Sequence, residues 1–373
     1  MTDSYSFDVL VVGSGVIGIS TALRLQKNGK KVLLIEKNTF IAEETSARNS
    51  GVIHSGIYYP KNSLKKMFCI RGNELIYKFC SKYNVPHKKT GKLIVSNSED
   101  EEKLFSIFKN GKNNGLNCIE IIDRKQIKKI EPNISSKITK AIYVKSSGIV
   151  DQPFLCSSML EKFKEYGGEI TCNTNFESYE YKDSNHISLL NTLGEKFHIK
   201  SKYLILCPGL HSYEVGKKIE PIKNLPYLKK LNFVKGHYYK LNVKEPPFTR
   251  LIYPIPSKLG LGIHYTLDLS GYAKFGPDTH HVENINYRFN DDLKMKFFTE
   301  IVKYYPKIKV DDLVEDYTGI RPKLDLKNKF NDFSILNAND HKVDGLIFLQ
   351  GFESPGLTSS MAIAEYLSKN FIY

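Results

Sequence analysis

Cysteine is scarce in this 373-residue chain, with six in all: Cys69, Cys80, Cys118, Cys156, Cys172 and Cys207. No two form a C-x-x-C pair and no histidine spacing accompanies them, so no zinc or other metal site is expected and they read as reduced, mostly buried thiols. Blocks of like charge are also missing. The net charge of +14 comes from lysines scattered in ones and twos, which argues against a nucleic-acid partner and leaves a positive field suited to anionic cofactors and substrates. No basic segment precedes the first apolar run, where Asp3 and Asp8 stand instead. A secretory signal is therefore not expected, and a cytoplasmic location is. A long unbroken hydrophobic run is lacking too. Val9 to Leu25 is apolar, but three glycines cut it, and strand, turn and helix account for it better than a membrane span.

What is present is ordinary globular composition, 41% hydrophobic and 25% charged, in a chain long enough to divide into two lobes. Residues 7–12 (Phe-Asp-Val-Leu-Val-Val) predict a short buried strand. A helical pattern through Leu25 stops at Gly29, and a second strand runs from Lys31 to Glu36. This is a β-α-β unit, the start of a doubly wound parallel sheet. Tyr203–Cys207 and Gly345–Gln350 have the same buried-strand character and are expected to join that sheet. Alternating stretches such as Val234–Val243 and Leu251–Tyr265 read as antiparallel strands of a second lobe. No internal repeat or low-complexity linker separates the two, so the first lobe is expected to be discontinuous, with the second inserted into it.

Gly13-Ser14-Gly15-Val16-Ile17-Gly18 is G-x-G-x-x-G directly after a strand and opening a helix, the context in which that motif cradles a dinucleotide. Gly13 allows the tight turn, Gly15 the approach of a pyrophosphate to the backbone, and Gly18 the close packing of helix on strand. Glu36 is placed to accept hydrogen bonds from ribose hydroxyls, and its charge disfavours a 2'-phosphate, hence NADP. The motif does not separate FAD from NAD. Thr45-Ser46-Ala47-Arg48-Asn49-Ser50-Gly51 follows as a dense run of donors suited to an extended dinucleotide.

From Val52-Ile53-His54-Ser55-Gly56 onward the chain resembles the FAD-dependent D-amino-acid oxidase superfamily, and within it the L-2-hydroxyglutarate dehydrogenases and oxidases. The resemblance is carried further by Leu64–Gly72, Ser147–Asp151, Lys235-Gly236-His237-Tyr238-Tyr239, Leu251–Pro256, Gly262–Tyr265 and Gly319-Ile320-Arg321-Pro322. It implies an α/β fold: a discontinuous Rossmann-type FAD-binding domain (1–85, 141–225 and 315–373) with an inserted, mainly antiparallel substrate-binding domain (86–140 and 226–314). It also implies non-covalent FAD, a covalent histidine linkage being the lesser alternative. The implied cofactor contacts are Gly13, Gly15, Val16, Gly18, Glu36, Lys37, Thr45, Ser46, Arg48, Asn49, Ser50, Gly51, Phe176, Cys207 and Gly209. Gly351, Ser354, Gly356, Leu357 and Thr358 complete them in a C-terminal turn that leads into a helix aimed at the flavin.

His54 is then the expected base, its ordinary pKa lying near neutrality. Arg321, in a Gly-Ile-Arg-Pro turn, is the expected anchor, its planar fork suited to a substrate carboxylate. Lys235, Tyr253 and His264 are further substrate-pocket candidates. Lys235 departs from the family's more frequent arginine, and the Pro322 and Glu353-Ser354-Pro355-Gly356 segments depart as well, which loosens substrate identity more than fold. The resemblance implies oxidation of a small 2-hydroxy acid, foremost L-2-hydroxyglutarate to 2-oxoglutarate, with electrons passing to oxygen or a quinone and room for peripheral contact with the inner membrane face. Glycine-type amino-acid oxidation and glycerol-3-phosphate oxidation are the alternatives on the same fold, and a non-catalytic nucleotide-binding protein is the remote one.

Overall fold

Val9, Leu10 and Val11 are fully buried, the continuous apolar run required of a strand covered on both faces. In the computed structural model, which describes residues 4–256, 262–328 and 330–372, they form the middle of β1 (Ser4–Val12). Helix α1 (Val16–Lys27) follows, then β2 (Val32–Ile35), one residue shorter at each end than the sequence pattern suggests. β2 lies parallel to β1, with Val9 opposite Val32. On the other side of β1 runs the strand Glu195–Leu206, Val9 opposite Tyr203, and Leu204–Leu206 pairs in parallel with Leu346–Phe348. All four expected segments therefore enter one sheet.

That sheet has eight strands. Sequence reading missed an antiparallel extension built by Thr174–Lys182 and Asn185–Thr192. It arises because Glu195–Leu206 is 12 residues long: its first half pairs antiparallel with Asn185–Thr192, its second half in parallel with β1. The core of this unit gathers Leu10, Leu33, Leu204, Leu206 and Phe348.

The chain divides into two compact units, residues 1–47, 152–233 and 321–373 forming one and 48–151 and 234–320 the other. The expected domain assignment put 48–85 and 141–151 with the cofactor domain, whereas by compactness they pack in the second unit. Among the described residues, the nine-stranded sheet of that unit runs through eight strands in order, His280–Val282, Asn232–Leu241, Ala273–Phe275, Tyr265–Leu267, Leu251–Pro254, Lys92–Ser96, Lys140–Val144 and Ile119–Asp123, with the ninth, Leu313–Lys323, paired to Asn232–Leu241 off that path. Its pairings are mostly antiparallel, but Leu251–Pro254 and Lys92–Ser96 run parallel, with Ile252 opposite Leu93. Of the expected strand Leu251–Tyr265, residues 257–261 lie outside the described residues.

Gly319-Ile320-Arg321-Pro322 is not a turn. It lies in the strand Leu313–Lys323, which pairs with Asn232–Leu241. The physical reason is local: proline at 322 biases the preceding Arg321 to extended backbone. The cysteines also differ in part from expectation. All six are free, but Cys118 is exposed and only Cys69, Cys80 and Cys156 are buried. Among the described residues no helix is long and apolar enough to cross a membrane.

Candidate active site

In the first unit the glycine loop has the geometry its sequence requires. Gly13 has φ +98, where a side chain is strained, and a Cβ at Gly18 would meet the Gly13 carbonyl oxygen at 1.8 Å, so helix and loop pack in direct backbone contact. Glu36, 7% exposed, anchors the loop: its carboxylate accepts from the Ser14 N–H and hydroxyl, both at 2.8 Å, and from the Asn38 N–H at 3.0 Å. Gly15 offers no side-chain cap to α1, and the Val16 N–H donates instead to Ser46 Oγ at 2.9 Å. An oxygen acceptor is thus accommodated at the helix N-terminus, the demand a pyrophosphate would make. Lys37 pairs with Glu44 at 2.8 Å.

The remaining expected cofactor contacts of this unit sit at strand ends or in the C-terminal turn. The Phe176 side chain is buried in the core, and its carbonyl accepts from Lys218 Nζ at 2.7 Å. The Cys207 N–H closes onto the Val12 carbonyl at 2.8 Å, and although the residue keeps some exposed surface, poor solvation of its thiol pushes that group up to about 12. Gly209 opens a short 3-10 turn. The helix Gly356–Asn370 begins without a side-chain cap, so its positive end presents main-chain N–H groups. Glu353 beside it is buried, with Lys323 Nζ at 3.4 Å. Arg321 is half-buried on its strand.

The second unit holds the other candidates. The Arg48 guanidinium lies 4.1 Å over the Tyr287 ring and donates to the Thr318 carbonyl. The Asn49 carbonyl accepts from Tyr317 Oη at 2.7 Å, its side chain caps the Gly51 N–H, and Ser50 Oγ hydrogen-bonds Tyr238 Oη at 2.9 Å. Beyond them His54 follows the short strand Val52–Ile53, and its carbonyl is fixed by Asn73 Nδ2 at 2.9 Å. His54 keeps part of its surface open, yet burial, then the Lys92 ammonium, then His264 hold its pKa well below the ordinary 6.5. Tyr253 and His264 are stacked, ring centroids 3.6 Å apart, and both are buried.

Lys92 belongs to this cluster and was not anticipated. Its ammonium lies 4.6 Å from the Tyr253 ring centroid and 5.4 Å from that of Tyr58. The sequence offered no signal for it, since a lysine that opens the apolar run Lys92-Leu93-Ile94-Val95 reads as a solvated strand end. Lys235, by contrast, is turned elsewhere. Its ammonium donates to the Arg288 carbonyl at 2.9 Å, on the face of Asn232–Leu241 that carries His237 and Tyr239 against Phe289. Strand alternation puts Tyr238 on the opposite face.

A further polar group was invisible in the sequence because its members are far apart. His237 donates its backbone N–H to Asp278 Oδ1 at 2.8 Å, with its Nδ1 at 2.9 Å from the same oxygen, and His280 Nε2 lies 3.0 Å from Asp278 Oδ2. The donor atoms lie within 4.8 Å of one another, but Lys296 Nζ at 3.5 Å already supplies a cation to this carboxylate. Burial raises the Asp278 pKa, and the His237 hydrogen bonds outweigh it, so the net direction is down.

A parallel sheet opening on a glycine loop, a buried acid at the end of β2 and a separate antiparallel sheet define a dinucleotide-dependent oxidoreductase architecture. The chain belongs to the FAD dependent oxidoreductase (DAO) family, whose pattern matches residues 8–370, and it is accordingly an FAD-dependent oxidoreductase. It is 35% identical to an Arabidopsis thaliana protein named L-2-hydroxyglutarate dehydrogenase, mitochondrial, over 98% of this chain and 83% of that one. It is 29% identical to a Caloramator mitchellensis glycerol 3-phosphate dehydrogenase, over 97% and 73%. Among solved structures it resembles the FAD-bound L-alpha-glycerophosphate oxidase of Mycoplasma pneumoniae, with a TM-score of 0.88 and 24% identity, covering 99% of this chain and 95% of that one; at that identity the likeness is one of fold.

Proposed function

We propose that the chain oxidises a small 2-hydroxy acid, L-2-hydroxyglutarate to 2-oxoglutarate in particular, with FAD held non-covalently. The observation that carries this reading is the state of His54: burial and two neighbouring basic groups keep its imidazole neutral. A neutral imidazole can take the proton of a substrate hydroxyl as the carbon beneath it gives up hydride. The name and near full-length similarity of the Arabidopsis relative support the substrate. Bound FAD supplies the hydride acceptor, N5 of its isoalloxazine.

The chain's own residues do the rest. Gly13, Gly15, Val16 and Gly18, with Glu36, Lys37, Thr45 and Ser46, present main-chain donors and ribose acceptors to the dinucleotide. Arg48, Asn49, Ser50 and Gly51 are further donors in this reading. Phe176, Cys207 and Gly209 approach through strand ends and backbone, and Gly351, Ser354, Gly356, Leu357 and Thr358 bring the positive end of the last helix to bear on developing negative charge. Arg321 anchors the substrate carboxylate by bidentate pairing. Tyr253 and His264 shape the pocket around His54.

Glycerol-3-phosphate oxidation is the second reading, favoured by the Caloramator relative. Both are tested by anaerobic titration of the FAD-loaded protein with L-2-hydroxyglutarate, its D-enantiomer, glycine and glycerol-3-phosphate. Loss of the oxidised-flavin band with the L-hydroxy acid alone is the expected result. Bleaching by glycerol-3-phosphate instead would replace the substrate, and bleaching by none would defeat the catalytic reading.

A further inference from the structure

Lys92 begins the strand Lys92–Ser96, every residue of which is buried, and it is itself 1% exposed. Among the described residues no carboxylate pairs with its ammonium. Around it stand the rings of Tyr253 and Tyr58, the Cys69 thiol and the imidazole of His54. Aromatic faces attract a cation, but two of them contribute less than the loss of water costs an ammonium. Burial pushes the lysine down to about 8, the Cys69 thiol opposing, so near neutral pH it is still mostly charged. A buried cation with no anionic partner among the described residues is a receptor for an anion that arrives from outside. This one stands in the cluster that contains the candidate base and the stacked Tyr253–His264 pair.

We propose that Lys92 receives a second acidic group of the substrate, so that the enzyme's substrate class is a dicarboxylic 2-hydroxy acid rather than 2-hydroxy acids at large. The proposal rests on the 2-hydroxy-acid reading above and adds the residue that selects within that class. Removing Lys92 should cost the dicarboxylate its partner and leave a substrate without a distal carboxylate nearly indifferent.

The test compares the FAD-loaded wild type, Lys92→Met and Lys92→Arg in flavin reduction by L-2-hydroxyglutarate and by L-2-hydroxybutyrate, which lacks the distal carboxylate. In Lys92→Met, kcat/KM for hydroxyglutarate should fall by at least about 30-fold, mainly through KM, while hydroxybutyrate changes by less than about 3-fold. Lys92→Arg should keep part of the preference. FAD content and the melting temperature report folding, and Lys92→Gln is read the same way should the methionine variant not accumulate. An unchanged preference in Lys92→Met overturns the proposal while leaving 2-hydroxy-acid oxidation standing. An equal fall for both substrates makes Lys92 structural and overturns it too. Loss of FAD would make the cofactor the anion's source, with the same consequence. A wild type that no 2-hydroxy acid reduces removes the underlying reading, and the proposal with it.

Discussion

Replacing Lys92 by methionine should make the substrate-free, FAD-loaded protein more stable at pH 7. Burial lowers this lysine from its ordinary 10.5 to about 8, which corresponds to a penalty of about 3 kcal/mol on its charged form. With the residue 1% exposed, solvent screening takes little from that figure. The cation–π contacts to Tyr253 and Tyr58 return about 1–2 kcal/mol, so methionine should gain about 1–2 kcal/mol net. The pH dependence follows from linkage. Below about pH 8 the lysine is charged in both folded and unfolded chains, and the folded state carries the whole penalty. As pH rises from about 8 to 10.5 the folded lysine loses its proton first and the penalty shrinks; above that it is gone. Urea denaturation of wild type and Lys92→Met at pH 7 and at pH 10 measures both arms, the variant's advantage being larger at pH 7. A variant less stable than wild type at pH 7 by 1 kcal/mol or more would refute the reasoning, because it would mean that the resting protein already provides an anion for this ammonium.

Gly18→Ala should weaken FAD binding by at least about tenfold, since the added Cβ would lie 1.8 Å from the Gly13 carbonyl oxygen and backbone, not a flexible side chain, must yield; flavin released on ultrafiltration measures it. His54→Gln should retain FAD and lower the rate of flavin reduction by about 10²–10⁴-fold in stopped-flow experiments. Because burial, Lys92 and His264 hold the His54 pKa below 6.5, wild-type kcat/KM should be flat through neutral pH and fall on the acid side of 6.5, where the base becomes protonated; for a dicarboxylate it should fall again above about pH 8, where Lys92 loses its charge. Arg321→Ala should raise KM by about 10²-fold with FAD still bound, and loss of FAD instead would assign Arg321 to the fold.

Much of this was legible because local physics wrote it locally. The G-x-G-x-x-G loop announces itself since each glycine is demanded by backbone within a few residues of it in space: Gly13 by its own φ, Gly18 by the Gly13 carbonyl. The parallel strands were readable because strands buried on both faces are apolar throughout. The antiparallel extension was not, because Glu195–Leu206 changes partner midway and its first half carries the mixed pattern of a half-exposed strand. Gly-Ile-Arg-Pro was read as a turn from its glycine and proline, although proline after arginine is equally compatible with the extended backbone that Leu313–Lys323 adopts. The His237–Asp278 pair was hidden by its separation of 41 residues.

Lys92 shows where sequence reading stops. A lysine at the start of an apolar strand is ordinarily a solvated strand end, and nothing within Gly91-Lys92-Leu93 says otherwise. What buries it is the parallel pairing with Leu251–Pro254, more than 150 residues away, which brings Tyr253 over its ammonium. The same pairing adds to the burial that is the first cause of the lowered His54 pKa. A cation confined near an imidazole in a poorly solvated cluster raises the cost of a second positive charge, so the imidazole stays neutral and able to accept a proton. If an acidic group of the substrate then reaches Lys92, it screens that cation and raises the proton affinity of His54 at the moment the hydroxyl proton must be taken. One buried charge would thus serve selection before the reaction and basicity during it, and the two effects are separable: selection reads out in KM, basicity in the acid limb of kcat, and Lys92→Met should shift both.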